Sequence, residues 1–314
     1  MARVLSTAVV LALLAATAIA FAVTEGAKLD KSPIAGTAVT PIFSPVSAIE
    51  AKRAAQVKFR LRTRERLTVW IQDAHGRRVA TLLPPRSARA GTVFKLRWDG
   101  FSGGGVINPD GVYRPVVKLE RSHRTIVLPS PIRLDTVPPV VTVRHPQYPI
   151  LSPDGDGHAD DFRFHFDVNE PAHAILAVRG RRVLFTRDQK TAGVLVWNGR
   201  VRNSQQALVR ARPGRYLLTV SAQDIAGNVS KGIPFAIAQV RYVALARPRV
   251  VVRPGGRFAL RVSTDAPRVQ WRLHGRSGVQ RSGTLHFRAP RSKGVFKLYV
   301  TAAGHSAVTT VVVA

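Results

Sequence analysis

Four of the chain's 18 acidic side chains fall within eight residues: Asp154, Asp156, Asp160 and Asp161, in "SPDGDGHADD" (152–161). Closely spaced carboxylates on a glycine-rich loop suit a hard cation such as Ca²⁺, which takes about six to eight oxygens. The stretch falls short of an EF-hand loop, because His158 stands at the fifth position and no Glu closes the twelve-residue frame. Two readings stay open: an Asp/Gly turn leading into a strand, and a structural Ca²⁺ site. Catalysis is not expected there. The nine His are scattered without an HExxH pair. The absence of Cys removes disulfides, thiolate metal sites and thiol nucleophiles. The chain has no G-x-S-x-G elbow, P-loop or dinucleotide-binding glycine pattern. "FSGGGV" (101–106) has no helix after it to supply a phosphate-binding dipole and reads as a hairpin loop. No catalytic residue is expected, and no cofactor beyond that Ca²⁺.

The segments that carry these residues alternate apolar and polar side chains with period two, the pattern of half-buried strands. "VKFRLR" (57–62), "FRFHFDV" (162–168), "RYLLTVSA" (215–222), "RFALRVS" (257–263) and "VFKLYVT" (295–301) all show it. Turns rich in Gly, Asn and Pro follow every 8–12 residues or so, which indicates sandwiches or barrels. The first residues differ. Val4 to Val23 is a run of twenty apolar-dominated residues, long enough for a membrane-spanning helix. Ala20-Phe21-Ala22 also fits a signal-peptidase site. Cleaved signal and uncleaved anchor both remain open, and both send the rest of the chain across the membrane.

Five blocks recur in the same order about 100 residues apart. "IFSP" (42–45) pairs with "ILSP" (150–153), and "VKFRLR" with "FRFHFDV". "HGRRVATL" (75–82) pairs with "RGRRVLFT" (179–186), and "LRWDG" (96–100) with "LVWNG" (195–199). "GVYRPVVKLE" (111–120) pairs with "GRYLLTVSAQ" (214–223). Asp-Gly and Asn-Gly supply the positive φ of tight turns. Trp98 and Trp197 are expected to bury large rings between sheets. Each Gly-x-Tyr starts a late strand, where the hydroxyl could bond backbone. Trp70 and Trp271 are also expected to be mostly buried.

The first copy, with Asp73, Gly76, Arg77, Val79, Trp98, Asp99, Gly100, Gly111 and Tyr113, resembles the FlgD/Vpr-type immunoglobulin-like domain of bacterial secreted and surface proteins. The second copy is similar but has "WNG" and lacks the Asp before "RGRRV"; its acidic loop resembles the opening of other surface Ig-like domains. Residues 247–314 are similar to a generic bacterial Ig-like domain. The resemblance implies an all-β chain of tandem Ig-like sandwiches behind an N-terminal targeting helix. The expected organisation is 1–24 signal or anchor, 25–40 linker, 41–137 and 138–243 FlgD-like domains, and 244–314 a third Ig-like unit.

Lys and Arg number 48 against 18 acids, a formal net charge of +30. Such a chain is drawn to polyanions. Nucleic acid is not expected, because aromatic or helical readers do not accompany the charge. The function expected is non-enzymatic: an envelope-associated structural or binding protein. It would be held at the cytoplasmic membrane or released. Its partners would be anionic envelope polymers or surface proteins, met through basic faces such as Arg60, Arg62, Arg64, Arg66, Arg77, Arg78, Arg181 and Arg182. Three alternatives remain: a hook-capping-like assembly factor, the accessory part of a secreted hydrolase, and a carbohydrate-binding module.

Overall fold

A computed structural model describes residues 12–21, 32–144 and 147–314. Residues 12–21 are helical, and their apolar side chains, Leu13, Leu14, Ile19 and Phe21, are exposed and join none of the hydrophobic cores. No described helix is long and apolar enough to cross a membrane. The rest of the apolar run lies outside the described residues. Among the described residues after it, the regular structure is β apart from one 3-10 turn at Glu50–Lys52, and the chain divides into two compact units, 1–136 and 137–314.

The first unit holds β1 (Ile34–Val39), β2 (Ile42–Phe43), β3 (Ala55–Leu61), β4 (Glu65–Gln72), β5 (Arg78–Ala88), β6 (Val93–Trp98), β7 (Gly111–Leu119), β8 (Arg124–Val127) and β9 (Ile132–Leu134). They form two sheets, β1-β3-β6 and β2-β9-β7-β4-β5, with β8 beside β7. In β3, Ala55, Val57, Phe59 and Leu61 are buried, while Gln56, Lys58 and Arg60 face solvent. Period two thus puts one side of the strand in the core. Residues 34–39, read above as linker, instead form a strand antiparallel to β3. Small residues and Gly36 hide this strand from propensity; pairing with β3 makes it, and the register slips between Ala35 and Ala38.

The second unit begins with β10 (Val141–Val143), β11 (Ile150–Leu151), β12 (Phe162–Val178), β13 (Arg181–Phe185), β14 (Lys190–Trp197), β15 (Arg200–Arg202), β16 (Leu208–Arg210), β17 (Gly214–Gln223) and β18 (Ile233–Val240). The first part of β12 pairs with β10 and β14, and its last part with β13 and β17. The strand therefore passes from one sheet to the other, through a register break between Asp167 and Ala172. β19 (Ala244–Leu245), β20 (Arg249–Val252), β21 (Arg257–Ser263), β22 (Arg268–Leu273), β23 (Arg276–Arg281), β24 (Gly283–Arg288), β25 (Gly294–Ala302) and β26 (His305–Val313) follow. They form the sheets β19-β21-β24 and β20-β26-β25-β22-β23 around a core of their own. The chain is thus all-β, with three Ig-like sandwich modules. In each, an early strand pairs in parallel with the last: β2 with β9, β11 with β18, β20 with β26.

The duplicated blocks do the same structural work twice. Trp98 and Trp197 are each 1% exposed. Their indole N–H groups donate to the carbonyls of Phe101 (3.2 Å) and Arg200 (2.8 Å), three residues on in both cases. Tyr113 OH donates to Pro109 O at 2.6 Å, and Tyr216 OH to Arg212 O at 2.8 Å. Each bond ties the late strand to the turn before it. Tyr113→Phe and Tyr216→Phe should each cost about 1 kcal/mol, read as a lower denaturant midpoint with unchanged slope. Trp70 and Trp271 are mostly buried, as expected, but unlike Trp98 and Trp197 each keeps part of its surface in solvent. Trp70 sits on the face of β4 that Arg78 covers, 5.4 Å from the ring centre, and Trp271 lies where the third sandwich opens.

Candidate functional site

The acidic loop is built on backbone. Gly155 and Gly157 have φ of +93° and +88°. That left-handed backbone turns their amides toward Asp160, whose Oδ1 and Oδ2 accept from Gly155 N (2.7 Å) and Gly157 N (2.8 Å). These two bonds hold the Asp160 carboxyl below its ordinary range. Asp161 turns away and pairs with Arg163 at 3.2 Å. Asp154 and Asp156 stay together, and Asp154 Oδ1 accepts from Asp156 N at 3.2 Å. A third carboxylate joins them from the turn after β21. The ligand oxygens of Asp154, Asp156 and Asp265 lie within 4.8 Å of one another. Asp265 is set by its neighbour, since Thr264 Oγ1 donates to Tyr242 O at 2.7 Å and accepts from Ala266 N at 3.3 Å.

The four residues picked out by spacing therefore divide: two converge with Asp265, one braces the loop, and one forms an exposed ion pair. Asp265 is 109 positions beyond Asp156 and gave no local signal beyond being the only acid among residues 244–314. Asp154, Asp156 and Asp265 are the carboxylates here that could hold a hard cation; the remaining oxygens would have to come from backbone and water. Burial first, then the charges of Asp156, Asp265 and Asp160, push the Asp154 carboxyl up, and only the Asp156 amide opposes this. A raised carboxyl pKa favours the fold below the unfolded-state value, and that gain is lost as pH rises through the folded one. In EDTA, Asp265→Asn should therefore melt higher than the parent at neutral pH, with the difference shrinking below the carboxylate range. A lower melting temperature at neutral pH would show that the charge of Asp265 is compensated.

The larger feature is cationic. Arg179, Arg181, Arg202, Arg210 and Arg212 line a groove of about 830 Å³ in the second module, over Tyr216, with no acidic residue in its wall. None of the five forms an ion pair among the described residues. Backbone holds three of them instead. Arg179 donates to Arg215 O (2.7 Å) and lies 4.1 Å from the Tyr216 ring centre. Arg181 donates to Asn203 O, and Arg202 to Arg182 O and Gln206 O. Each of these arginines keeps further N–H donors in a fixed plane.

Like charges also stand directly opposite each other across strands: Lys58 and Lys95, Arg200 and Arg210, Arg257 and Arg288, Arg268 and Arg281. All eight side chains are exposed. Such pairs weaken a sheet unless a counter-charge sits between them. Arg60, Arg62, Arg64, Arg66, Arg77, Arg78, Arg181 and Arg182 are likewise exposed; Arg66 pairs with Glu120 and Arg77 with Asp73.

No family model matches the sequence, and no curated protein matches it. Solved structures similar to the chain include fibronectin(III)-like modules and Ig-domain proteins. The fibronectin(III)-like modules of Clostridium thermocellum CbhA share 12% identity over 67% of this chain and 92% of that one, with a TM-score of 0.34. Three N-terminal domains of the outer capsid protein Hoc of bacteriophage RB49 share 11% over 88% and 97%, with a TM-score of 0.27. The N-terminal four Ig domains of Dscam1 share 15% over 88% and 72%, with a TM-score of 0.21. At these identities and TM-scores they say nothing of ligand or activity.

Proposed function

We propose that this is a non-enzymatic, exported Ig-like repeat protein that binds anionic polymers of the cell envelope through arginine-lined sandwich faces. Its first two modules are read as FlgD/Vpr-type. The observation that carries the proposal is the groove over Tyr216, where five arginines converge with no carboxylate in the wall and three of them are oriented by backbone carbonyls. Arginines held this way present pre-ordered donors to carboxylate or phosphate oxygens. The arrangement calls for no catalytic group and no cofactor. The exposed apolar helix at 12–21 supports export, as part of an anchor in the cytoplasmic membrane or of a signal that is removed.

The full chain should co-sediment with isolated cell-wall sacculi and with anionic liposomes at low salt. It should be released as ionic strength rises, because exposed charges are screened beyond about 8–10 Å at physiological salt. Absence of binding to both at low salt would end the proposal.

A further inference from the structure

Beyond general attraction to polyanions, the third module carries a second groove of different chemistry, about 590 Å³ in volume. That lies within the roughly 300–1,000 Å³ of small-ligand sites. Its wall combines Arg257, Arg276, Arg288 and His286 with Trp271 and Phe258, and contains no acidic residue. The whole of residues 244–314 has thirteen Lys and Arg against one Asp.

Three details separate this groove from a merely basic surface. Trp271 differs from Trp98 and Trp197: it is only partly buried, and its indole N–H has no partner among the described residues. The ring is nonetheless fixed. It packs edge-on against Phe287 at 5.4 Å, and on its other side a Cβ at position 278 would come within 3.1 Å of Nε1. Gly278, in an edge strand, is what lets the indole lie there. Arg257 and Arg288 stand opposite one another across β21 and β24, and Nε of Arg288 is tied to Gly255 O at 3.0 Å. The two arginines are thus cross-strand neighbours on the groove wall, one of them fixed by backbone, and neither forms an ion pair among the described residues.

We infer that this groove binds an acidic saccharide: a sugar ring lies against the Trp271 indole, a ring hydroxyl or ring oxygen accepts its N–H, and carboxylate or phosphate substituents bridge Arg257, Arg288 and Arg276. An aromatic face beside a free donor suits a ring that is apolar on one side and hydroxylated at its rim. Paired guanidinium forks suit the acid groups. Single-stranded nucleic acid fits less well, because its binders offer successive aromatic platforms to successive bases, whereas of the three aromatic rings in this wall Phe287 is buried and set edge-on to Trp271, which leaves only Phe258 beside the indole. The inference rests on the polyanion-binding proposal and narrows it.

The test uses the full chain carrying Trp70→Phe, which leaves Trp271 as the one tryptophan that is not fully buried, titrated with four probes. These are oligogalacturonate, a phosphorylated maltooligosaccharide, neutral maltooligosaccharide and inorganic polyphosphate. At least one acidic saccharide should shift the Trp271 emission, with the neutral one far weaker; which acid responds identifies the charged group. Adding Trp271→Phe, which keeps a ring against Phe287, should weaken acidic-saccharide binding at least about fivefold and leave polyphosphate binding little changed. Binding in this variant is followed by calorimetry. Arg257→Gln with Arg288→Gln, both exposed and away from the core, should weaken it about tenfold. If neither acidic saccharide perturbs Trp271 while polyphosphate still binds, this inference fails and the general proposal stands. If no polyanion binds, both fail. A single-stranded oligonucleotide that outcompetes both acidic saccharides at Trp271 would also overturn it.

Discussion

Trp98→Ala is expected to cost the first module about 3–5 kcal/mol, the range for emptying a large aromatic site in a core. A domain's whole stability is about 5–15 kcal/mol, so the variant module should be close to unfolded at 37 °C. The size follows from position. The indole is 1% exposed and packs edge-on against Phe43 at 5.3 Å and Tyr113 at 4.8 Å. It thereby joins β2, β6 and β7, which belong to both sheets. Its N–H also serves the Phe101 carbonyl. Chemical denaturation followed by near-ultraviolet circular dichroism should show loss of the first transition while the second unit's remains. A loss under about 1 kcal/mol would show that the site collapses easily and that Trp98 is not central to this core.

Gly199→Ala should be the most damaging single-methyl change in the second module. Gly199 has φ of +67°, and an added Cβ would lie 2.4 Å from Cγ and 2.6 Å from Cβ of Pro153. Left-handed backbone costs a non-glycine residue about 1–3 kcal/mol. Overpacking against a proline ring fixed at the loop's start adds about as much again. The first module repeats the contact: Gly100, φ +85°, places a Cβ 2.6 Å from Cγ of Pro45. Gly104→Ala, in the loop with only Ser102 Oγ near, at 3.9 Å, is the control and should be close to neutral. A second-unit midpoint for Gly199→Ala equal to the parent's would refute this account of the repeated Gly–Pro contact.

The repeated blocks were legible because each motif residue works locally. The indole bonds three residues ahead, the tyrosine hydroxyl four residues back, and the glycine needs its own φ. Only the proline partners, Pro45 and Pro153, required the fold, although both had stood out as part of the repeat. What was missed is non-local. β1 exists because β3 offers it a ladder, not because "IAGTAV" is strand-like on its own. β12 runs on past "FRFHFDV" through Pro171 to Val178, since it serves two sheets in succession. Trp271 alternates inward with Val269 and Leu273, yet stays only partly buried because it lines a groove of the third module. Asp265 reaches the acidic loop only through the packing of Tyr242 against the third module, where its ring stacks on His305 at 3.6 Å.

The basic character shows the same division. Net charge was plain from composition, but composition cannot say which arginines are paired. Arginines outnumber the carboxylates available to them, so several groove guanidinium groups turn to backbone carbonyls. That substitution orders them at a modest energetic gain and leaves the positive potential intact.

The most direct test of polyanion binding is the salt dependence of affinity for a soluble polyanion, inorganic polyphosphate. It would compare the parent with a variant carrying Arg181→Gln, Arg210→Gln and Arg212→Gln. The parent's log affinity should fall linearly with log salt. The variant should bind more weakly with a slope shallower by about 2, if each lost contact counts roughly as on a nucleic-acid polyanion. Identical slopes for parent and variant would show that the groove over Tyr216 is not where the polyanion lies, and an affinity indifferent to salt would contradict the account as a whole.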